Sequence, residues 1–425
     1  MQTHVRLRPH FPDEPIIHSL TDTDFYKFPM GQFIFNYFRY AKVTFGLKNR
    51  TLTIPLARII PEAQLREELD HVRTLRFNNT ELHYLRGTWE YQERMFLEPY
   101  LAYLKEYAPP EYELEYRGDD IILTFSGDWC DSSPWEIYGL EIINELYFRN
   151  MLKGYTAFNK DVVLAEGKKR LAEKIKILKQ NPQITFSEFG TRRRFSRDWQ
   201  EYVVAALAEE LPPEQFRGTS NTFLAQKYGL LPMGTNAHEL QMVIAGLMQA
   251  TDRLLLDSQN YMLETWWRQY GEPLSIFLPD TFGTESFLKI ISPEMLRTWK
   301  GFRQDSGDPI AEGEQWIRAY EAIKVEPRKK MMVPSDGLEL ETMLKIEKHF
   351  RGRLMTSFGW GTNLTNDLGL KPLSLVIKAQ SVNGIGLVKL SNNPAKAMGK
   401  KEDVERYMRV FGYQNTEHAQ TACKY

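Results

Sequence analysis

Residues 301–309 read GFRQDSGDP, and this stretch has the pattern that decides the fold: a short apolar run, a polar or glycine-rich signature and then an amphipathic segment. Six further stretches follow the same pattern: ITFSEFGTRRRFS (184–196), FRGTSNTFLAQKYG (216–229), LPMGTNAHELQMV (231–243), SIFLPDTFGTESFL (275–288), MMVPSDGLELETML (331–344) and LMTSFGWGTNLTND (354–367). Parallel α/β folds build active sites in this way, because each strand delivers polar residues at its C-terminal end before a helix. The pattern therefore predicts an irregular parallel α/β barrel whose chemistry lies on one rim.

The overall composition limits the kind of protein that this chain encodes. With 425 residues, of which 42% are apolar and 13% aromatic, the chain can bury a large core and form two domains. Its 54 basic and 55 acidic side chains nearly cancel, so no overall field attracts nucleic acid or an anionic membrane. Cys130 and Cys423 are too few and too far apart for a disulfide framework or a thiolate metal site.

The sequence also carries signals about location. Its N-terminus lacks a charged segment followed by an apolar one, and no apolar run approaches the roughly 20 residues that cross a bilayer. The scarcity of cysteine is typical of a reducing compartment. We therefore expect a cytoplasmic protein with neither nucleic-acid nor membrane partners.

The two ends of the chain differ from the repeated pattern in the middle. Residues 1–15 mix charge with proline and predict a loosely held arm, whereas residues 56–104 have helical spacing of apolar side chains. Residues 112–125 alternate in polarity around a turn, which predicts a hairpin outside the barrel. A helix from about Pro134 leads into the barrel. The expected domains are a flanking α+β domain of residues 1–140, joined by about 385–425, and a barrel domain of residues 141–384.

The motif GFRQDSGDP carries the clearest chemical signal in the chain. Asp305 and Asp308 lie three residues apart around Ser306 and Gly307 at a predicted strand end, and Arg303 precedes them. Acids on such a loop bind ribose hydroxyls or Mg²⁺, and a guanidinium binds phosphate or carboxylate through two hydrogen bonds. The same residues also fit an Asp-Ser-Gly turn in which Asp308 caps the following helix.

Two glycine-containing motifs are candidates for binding phosphate. In SFGWGTNLTND, Gly359 and Gly361 leave the backbone amides accessible, and Thr362 and Asn363 add hydrogen-bonding side chains. The helix that follows would direct its positive N-terminal end towards an anion. PSDGLE places Asp336 and Gly337 at the end of the preceding strand, where they suit a ribose or phosphate contact. Neither motif is a Walker or dinucleotide fingerprint, so each alone fits a turn as well as a site.

His238 is the histidine that the pattern favours for chemistry. It lies at a strand-to-helix transition beside Glu239, where an imidazole can act as a base, bind phosphate or accept a phosphoryl group. A structural role for a lone histidine is the alternative. Phe189 and Arg192, which follow an earlier strand, predict a pocket with an aromatic wall and a cation.

Taken together, the motifs resemble those of the nicotinate phosphoribosyltransferase family. The residues that carry the resemblance are LTDTDFYK (20–27), FSEFGTRRR (186–194), GTSN (218–221), GTNAHE (234–239), LPDTFGTESF (278–287), GFRQDSGDP and FGWGTN (358–363). The resemblance implies an α/β barrel with a flanking α+β domain built from both chain ends, and a homodimer with active sites near the subunit interface. It also implies the reaction of nicotinate with phosphoribosyl pyrophosphate, coupled to ATP hydrolysis through a phosphohistidine.

The resemblance further implies roles for residues at matching motif positions. His238 would accept a phosphoryl group from ATP, and the pyridine ring would stack between Phe189 and Tyr26, the tyrosine coming from a neighbouring subunit. The base and phosphate region would be lined by Arg192 and Arg303. Acids near the ribose and pyrophosphate would be Asp280 and Asp305. The 5′-phosphate would be held by Asp336, Gly337, Gly359 and Gly361. A looser match implies that Lys48 and Arg50 bind pyrophosphate.

The residue types agree with this reaction. Attack by the pyridine nitrogen at ribose C1 develops positive charge on the sugar while pyrophosphate leaves. The site then needs aromatic walls, cations for the phosphates and Mg²⁺. Mg²⁺ and ATP are the expected cofactors, and the sequence leaves open which acids contact the metal.

Two other functions compete with this interpretation. Relatives that use nicotinamide resemble this chain but carry an acid where GTSN has Ser220, and an acid there would repel nicotinate. Ser220 is therefore expected to face the substrate and to favour the acid. A catalytically silent nucleotide-binding regulator on the same barrel is the second alternative, and the presence of His238, Asp305 and both arginines argues against it.

Overall fold

The computed structural model describes residues 14–90, 93–393 and 396–413. Most of the arm predicted for residues 1–15, together with Cys423, lies outside these ranges. Within them, no helix is both long enough and apolar enough to span a bilayer.

The N-terminal part forms the predicted flanking α+β domain. Its elements are α1 (Lys27–Tyr37), β1 (Lys42–Asn49), α2 (Leu56–Ile59), α3 (Glu62–Thr74), α4 (Asn79–Arg86), β2 (Trp89–Glu90), β3 (Glu93–Arg94), α5 (Glu98–Glu106), β4 (Tyr112–Arg117), β5 (Asp120–Asp128), α6 (Trp129–Ser132) and α7 (Trp135–Met151). The helices predicted for residues 56–104 and the helix predicted from about Pro134 are confirmed. The hairpin is also confirmed, since β4 and β5 pair antiparallel around a turn at Gly118.

The middle of the chain alternates short strands with helices, as its repeated pattern predicts. Its elements are α8 (Ala157–Gln180), β6 (Phe186–Glu188), α9 (Arg197–Glu210), β7 (Phe216–Thr219), α10 (Thr222–Tyr228), α11 (His238–Leu247), α12 (Asp252–Tyr270), β8 (Ile276–Phe277), α13 (Thr284–Ile290), α14 (Pro293–Thr298), β9 (Gly301–Gln304), α15 (Pro309–Ala322), β10 (Met331–Pro334), α16 (Leu340–Phe350), β11 (Met355–Thr356), β12 (Phe358–Trp360) and α17 (Thr362–Thr365). The last elements of the described chain are β13 (Leu375–Val382), β14 (Ile385–Gly386) and α18 (Lys401–Val410).

The strands of the middle region form two parallel sheets, whose edge strands β11 and β12 follow each other in the chain. Their orders are β11-β10-β9-β8 and β12-β6-β7, and every pairing is parallel. Only Ser357 separates β11 from β12, and its N–H donates to Met332 O at 3.0 Å. The stretch that begins at Leu231 joins β7 through a parallel bridge between Thr219 and Pro232. All seven stretches therefore supply strand structure, and the predicted fold class is confirmed.

The C-terminal return of the chain completes the flanking sheet. Strand β13 pairs antiparallel with β1, in a five-stranded sheet of order β14-β13-β1-β5-β4. The chain thus re-enters the flanking sheet at Leu375, before the boundary expected near residue 385. The alternation along β13 indicates a strand, but it carries no information about which sheet that strand joins.

One apolar core runs through both parts of the protein. Helix α7 packs on α3, on β13 and on the turn at Thr191–Arg193, and it is buried on nearly every side. Its buried residues include Glu136, Glu141 and Glu145, so this helix also carries carboxylates into the interior. The segment at Asp24 also forms an antiparallel bridge with Asn221, just beyond the end of β7. These contacts bring residues of the N-terminal segment directly to the rim of the barrel.

Candidate active site

A cavity opens at the carboxyl ends of the parallel strands, where the sequence predicts the site. Its principal polar and aromatic lining residues are Arg50, Glu136, Phe189, Arg192, Asp305, Ser335, Asp336, Gly337, Gly361, Thr362, Asn363, Lys378, Lys389 and Lys396. Nine of these were predicted as site residues from the sequence: Arg50, Phe189, Arg192, Asp305, Asp336, Gly337, Gly361, Thr362 and Asn363. The arrangement agrees with the general rule that active sites of such folds lie at the carboxyl ends of the strands.

His238 is buried behind the cavity wall, in contact with two acids, of which Asp305 lines the cavity. Its Nε2 is 2.9 Å from Asp305 Oδ2 and 3.6 Å from Asp280 Oδ1, and its Nδ1 is 2.8 Å from the Thr281 hydroxyl. Two carboxylates beside Nε2 favour the tautomer with the proton on that nitrogen. Nδ1 then accepts a hydrogen bond from Thr281, and His238, Asp280 and Asp305 come together as the sequence predicts.

The charges around His238 determine its ionisation. Burial lowers the pKa of His238 to about 4, helped by the Lys389 ammonium and opposed by the two carboxylates. Burial opposes the charge on Asp305, but the hydrogen bond with His238 and the Arg303 guanidinium hold the pKa of that carboxyl well below its usual range. At neutral pH the pair is therefore a neutral imidazole beside an ionised carboxylate, which suits a nucleophilic nitrogen.

The loop of GFRQDSGDP fulfils both interpretations of its sequence. Asp305 enters the cavity, whereas Asp308 is the N-cap of α15 and accepts from the Ala311 N–H at 2.7 Å. Gly307 between them has a φ of 82°, which favours glycine. Arg303 does not line the cavity. Its guanidinium donates to Asn236 O at 3.1 Å and interacts electrostatically with the Asp305 carboxylate.

Phe189 and Arg192 both line the cavity, as the sequence predicts. The Arg192 guanidinium lies 3.2 Å from Asp24 and 3.5 Å from Glu136, and 5.8 Å from the ring centre of Tyr26. Burial opposes its charge, but Tyr26 and the neighbouring carboxylates raise the pKa of Arg192. Tyr26 itself is 2% exposed and does not line the cavity of its own chain.

Most of the predicted phosphate residues line the same cavity, and Gly361 lies beside Phe189: a Cβ at residue 361 would be 3.0 Å from Phe189 O. Asp336, Gly337, Gly361, Thr362 and Asn363 lie together there, and Asp336 pairs with Lys396 Nζ at 2.8 Å. Gly359 does not line the cavity. A Cβ at residue 359 would lie 3.3 Å from Ser335 Cβ, so glycine allows β12 to pack closely against its neighbours.

Ser220 does not face the cavity, contrary to the expectation from its position in GTSN. Its side chain is fully buried, and its hydroxyl donates to Asp24 Oδ1 at 2.5 Å. Asp24 in turn holds Arg192, and burial raises the pKa of Asp24. Ser220 is therefore linked to the cavity indirectly, through Asp24 and Arg192.

Replacing Ser220 by aspartate is expected to destabilise the protein. In Ser220→Asp, two carboxylates would lie at contact distance in a buried place, which costs about 3–5 kcal/mol when the added charge has no partner. Thermal unfolding of Ser220→Asp against Ser220→Ala measures this cost, since alanine removes only one hydrogen bond, worth about 1 kcal/mol. Equal stability of the two variants would contradict the buried contact with Asp24.

Three lysines of the C-terminal return were missed from the sequence. Lys378 lies on β13, and Lys389 and Lys396 follow β14; all three line the cavity. Lys389 is 3.8 Å from Asp280, and Lys378 is 3.9 Å from Glu136. Conversely, the predicted residue Lys48 is exposed on β1 and does not line the cavity, whereas Arg50 does. A strand sequence alone does not reveal that its lysines meet acids of a distant sheet.

The fold and the cavity define a class of protein: an α/β-barrel enzyme with a cation-rich site for phosphorylated, anionic substrates. Comparison with known families makes the assignment specific. The chain belongs to the nicotinate phosphoribosyltransferase family, whose model matches residues 184–415, and the N-terminal domain model of the same family matches residues 21–144. Its function is accordingly nicotinate phosphoribosyl transfer in NAD biosynthesis.

Solved structures agree with this family. A nicotinate phosphoribosyltransferase from Vibrio cholerae is 29% identical, with 96% of each chain covered and a TM-score of 0.85. A putative nicotinate phosphoribosyltransferase from Saccharomyces cerevisiae is also 29% identical, covering 95% of this chain and 100% of that one, with a TM-score of 0.83. The enzyme from Porphyromonas gingivalis is 28% identical, with 93% and 100% covered and a TM-score of 0.82.

Proposed function

We propose that this chain couples the transfer of a phosphoribosyl group to nicotinate with ATP hydrolysis, through phosphorylation of His238. The observation that carries the proposal is the neutral His238 imidazole, held by Asp305 on Nε2 with a lone pair on Nδ1. The test is a turnover assay with nicotinate, phosphoribosyl pyrophosphate and Mg²⁺, with and without ATP. Equal rates and no ATP hydrolysis would contradict the coupling.

The phosphoryl step uses the two nitrogens of His238 differently. Nδ1 attacks the γ-phosphorus of ATP, the new N–P bond forms, and the P–O bond to ADP breaks. The ring gains positive charge as this bond forms, and the carboxylates beside Nε2 stabilise that charge. Thr281 turns its hydroxyl away from Nδ1 to admit the phosphorus.

The acids near His238 also suit a divalent cation. Ligand atoms of His238, Asp280 and Asp305 all lie within 4.8 Å of one another, and Asp280 Oδ1 accepts no hydrogen bond from the described residues. Carboxylate oxygens are the ligands that Mg²⁺ prefers. We assign Asp280 and Asp305 as the residues that would hold Mg²⁺, which supplies positive charge to phosphate oxygens when bound.

The transfer step is supported by the distribution of side chains along the cavity. Phe189 supplies an aromatic wall for the pyridine ring, and Arg192 supplies a cation for the nicotinate carboxylate. The pyridine nitrogen attacks ribose C1 while the bond to pyrophosphate breaks. No base is needed, because this nitrogen carries no proton. Anionic groups of phosphoribosyl pyrophosphate meet Arg50, Lys378, Lys389 and Lys396 and the residues at 336–337 and 361–363.

We further propose that the protein is a cytoplasmic homodimer with active sites near the subunit interface. Large apolar side chains are exposed around the start of α8, at Met151, Tyr155, Phe158 and Val162. Such a cluster is typical of an interaction surface. Light scattering of the purified protein measures the subunit number. A contribution of Tyr26 to the site of a neighbouring subunit remains a prediction.

Lys378 is expected to make substrate binding depend on pH. Burial lowers the pKa of Lys378 to about 7, although Glu136 opposes this. The ammonium is charged below this pKa and loses its proton above it. The KM for phosphoribosyl pyrophosphate should therefore rise as the pH increases through 7, by up to about tenfold per unit if Lys378 dominates binding.

The variant Lys378→Arg separates this effect from ionisation of the substrate. A guanidinium stays charged at every relevant pH, so the variant should keep a low KM into the alkaline range. Lys371→Arg, at an exposed position on the same segment, is the matched control and should follow the wild type. Parallel profiles for all three proteins would show that Lys378 does not contact the substrate.

A further inference from the structure

A buried cluster of charges, centred on Lys27, connects the helix of His238 with the cations Arg192 and Lys378 of the cavity wall. The Lys27 ammonium lies 2.6 Å from Glu239 Oε2 and 2.8 Å from Glu136 Oε2, and it donates to Ser133 Oγ at 3.1 Å. The side chain of Lys27 is only 2% exposed, and those of both glutamates are 5% exposed. Charge-assisted hydrogen bonds in such a place are strong and fix the geometry of their partners.

One carboxylate of this cluster belongs to the helix of His238. Glu239 follows His238 in the first turn of α11, and its Oε1 accepts from Trp129 Nε1 at 2.6 Å. The N-cap residue of α11 is Ala237, which provides no side-chain cap. Lys27 and Trp129 therefore hold the first turn of this helix through Glu239, and with it the backbone of His238.

The other carboxylate, Glu136, lines the cavity beside two cations. Glu136 Oε1 lies 3.5 Å from Arg192 Nη1 and 3.9 Å from Lys378 Nζ. Burial opposes the charge on Glu136, but Lys27, followed by Lys378 and Arg192, lowers the pKa of Glu136 to about 2. The charged and titratable groups that face Glu136 are Asp24, Tyr26, Lys27, Arg192, Glu239 and Lys378.

We propose that Lys27 is a positioning residue that keeps Glu136 ionised beside Arg192 and Lys378, and thereby couples the helix of His238 to Arg192, the cation proposed for the nicotinate carboxylate. Lys27 does not line the cavity, so it acts on substrate only through these neighbours. Without its ammonium, Glu136 and Glu239 are two buried carboxylates with no shared cation. Glu136 then takes up a proton at mildly acidic pH and no longer orients Arg192 and Lys378.

The test is the pH dependence of the nicotinate KM in Lys27→Met. The variant should show a KM that rises below neutral pH, by about tenfold for each pH unit below the new pKa of Glu136. The kcat at saturating nicotinate should change less, since the cations still meet the substrate once it is bound. Lys27→Arg keeps a cation in place and should remove most of the acidic rise.

Lys330→Met is the matched control for the loss of a buried lysine. Lys330 is 5% exposed and donates to the carbonyls of Arg297 and Trp299, at the end of β10 away from the cavity. Its loss should lower thermal stability and leave the KM profile unchanged. An acidic rise in Lys330→Met, or a Lys27→Met profile parallel to the wild type, would overturn the proposal.

A double variant covers the case in which Lys27→Met does not fold. Lys27→Met/Glu239→Gln removes one buried charge of each sign, and the acidic rise should persist because Glu136 still lacks the Lys27 ammonium, its nearest cation. A flat profile in the folded double variant also overturns the proposal. The role of Lys27 rests on nicotinate transfer and on the site roles proposed above. An inactive wild type would contradict the function. An active wild type whose Lys27 variants have an unchanged pH profile of the nicotinate KM would contradict only the role of Lys27.

Discussion

His238→Ala is expected to abolish ATP hydrolysis and phosphoryl labelling of the protein, by ~10³-fold or more, because removal of a nucleophile leaves no acceptor for the transferred group. Nδ1 is the only nitrogen of His238 with a lone pair when Nε2–H faces Asp305. Residual transfer to nicotinate without ATP should survive, since Phe189 and Arg192 are untouched. The measurements are ATP hydrolysis and incorporation of label from γ-labelled ATP.

His349→Ala provides the control for this experiment. His349 lies on α16, where Nε2 is 2.8 Å from Glu314, and its side chain is 36% exposed. This variant should be labelled and should hydrolyse ATP like the wild type. A label that persists in folded His238→Ala would remove the assigned acceptor.

Asp305→Asn should reduce turnover by about ten- to a hundredfold while the protein stays folded. The amide can keep a hydrogen bond to Nε2, but it removes the charge that stabilises the positive imidazole in the transition state. A charge-assisted hydrogen bond is worth about 1.5–3 kcal/mol, which gives this range of rates. The variant should also weaken the response to Mg²⁺, because one of the two proposed carboxylate ligands is lost.

Asp308→Asn is the matched substitution on the same loop. Asp308 caps α15, and asparagine is an equally good N-cap residue, so this variant should keep wild-type turnover and stability. The measurements are kcat and Mg²⁺ dependence for both variants beside a thermal unfolding curve. If Asp305→Asn has wild-type kinetics, the acid belongs to the turn and not to the chemistry.

Local signals in the sequence were sufficient for the fold class and for the centre of the site. The change from an apolar run to a polar signature marks each strand end, and the carboxyl ends of parallel strands share one rim. The motifs of His238 and Asp305 were therefore expected on the same rim, although 67 residues separate them, and their direct contact was found only in the structure. The comparison with nicotinamide-using relatives misplaced Ser220, because a residue at a strand end can point either into the cavity or behind it.

The cations of the site were the hardest part to predict. Lys378 belongs to an antiparallel strand of the flanking sheet, and its pattern resembles that of any half-buried strand. Its function depends on β13 pairing with β1, which brings the lysine within 3.9 Å of Glu136. A pairing of this kind depends on the packing of elements that are distant in the chain.

The sequence alone was enough to predict the parallel α/β architecture and the rim that bears the chemistry, because periodicity and turn residues act over a few neighbouring positions. The tertiary structure alone decided which buried charges meet. Lys27 and Glu239 are 212 residues apart, and Asp24 and Ser220 are 196 apart. Local patterns show only which side of an element is buried. The partner of a buried charge is decided by the packing of whole elements, where an unpaired charge costs several kcal/mol.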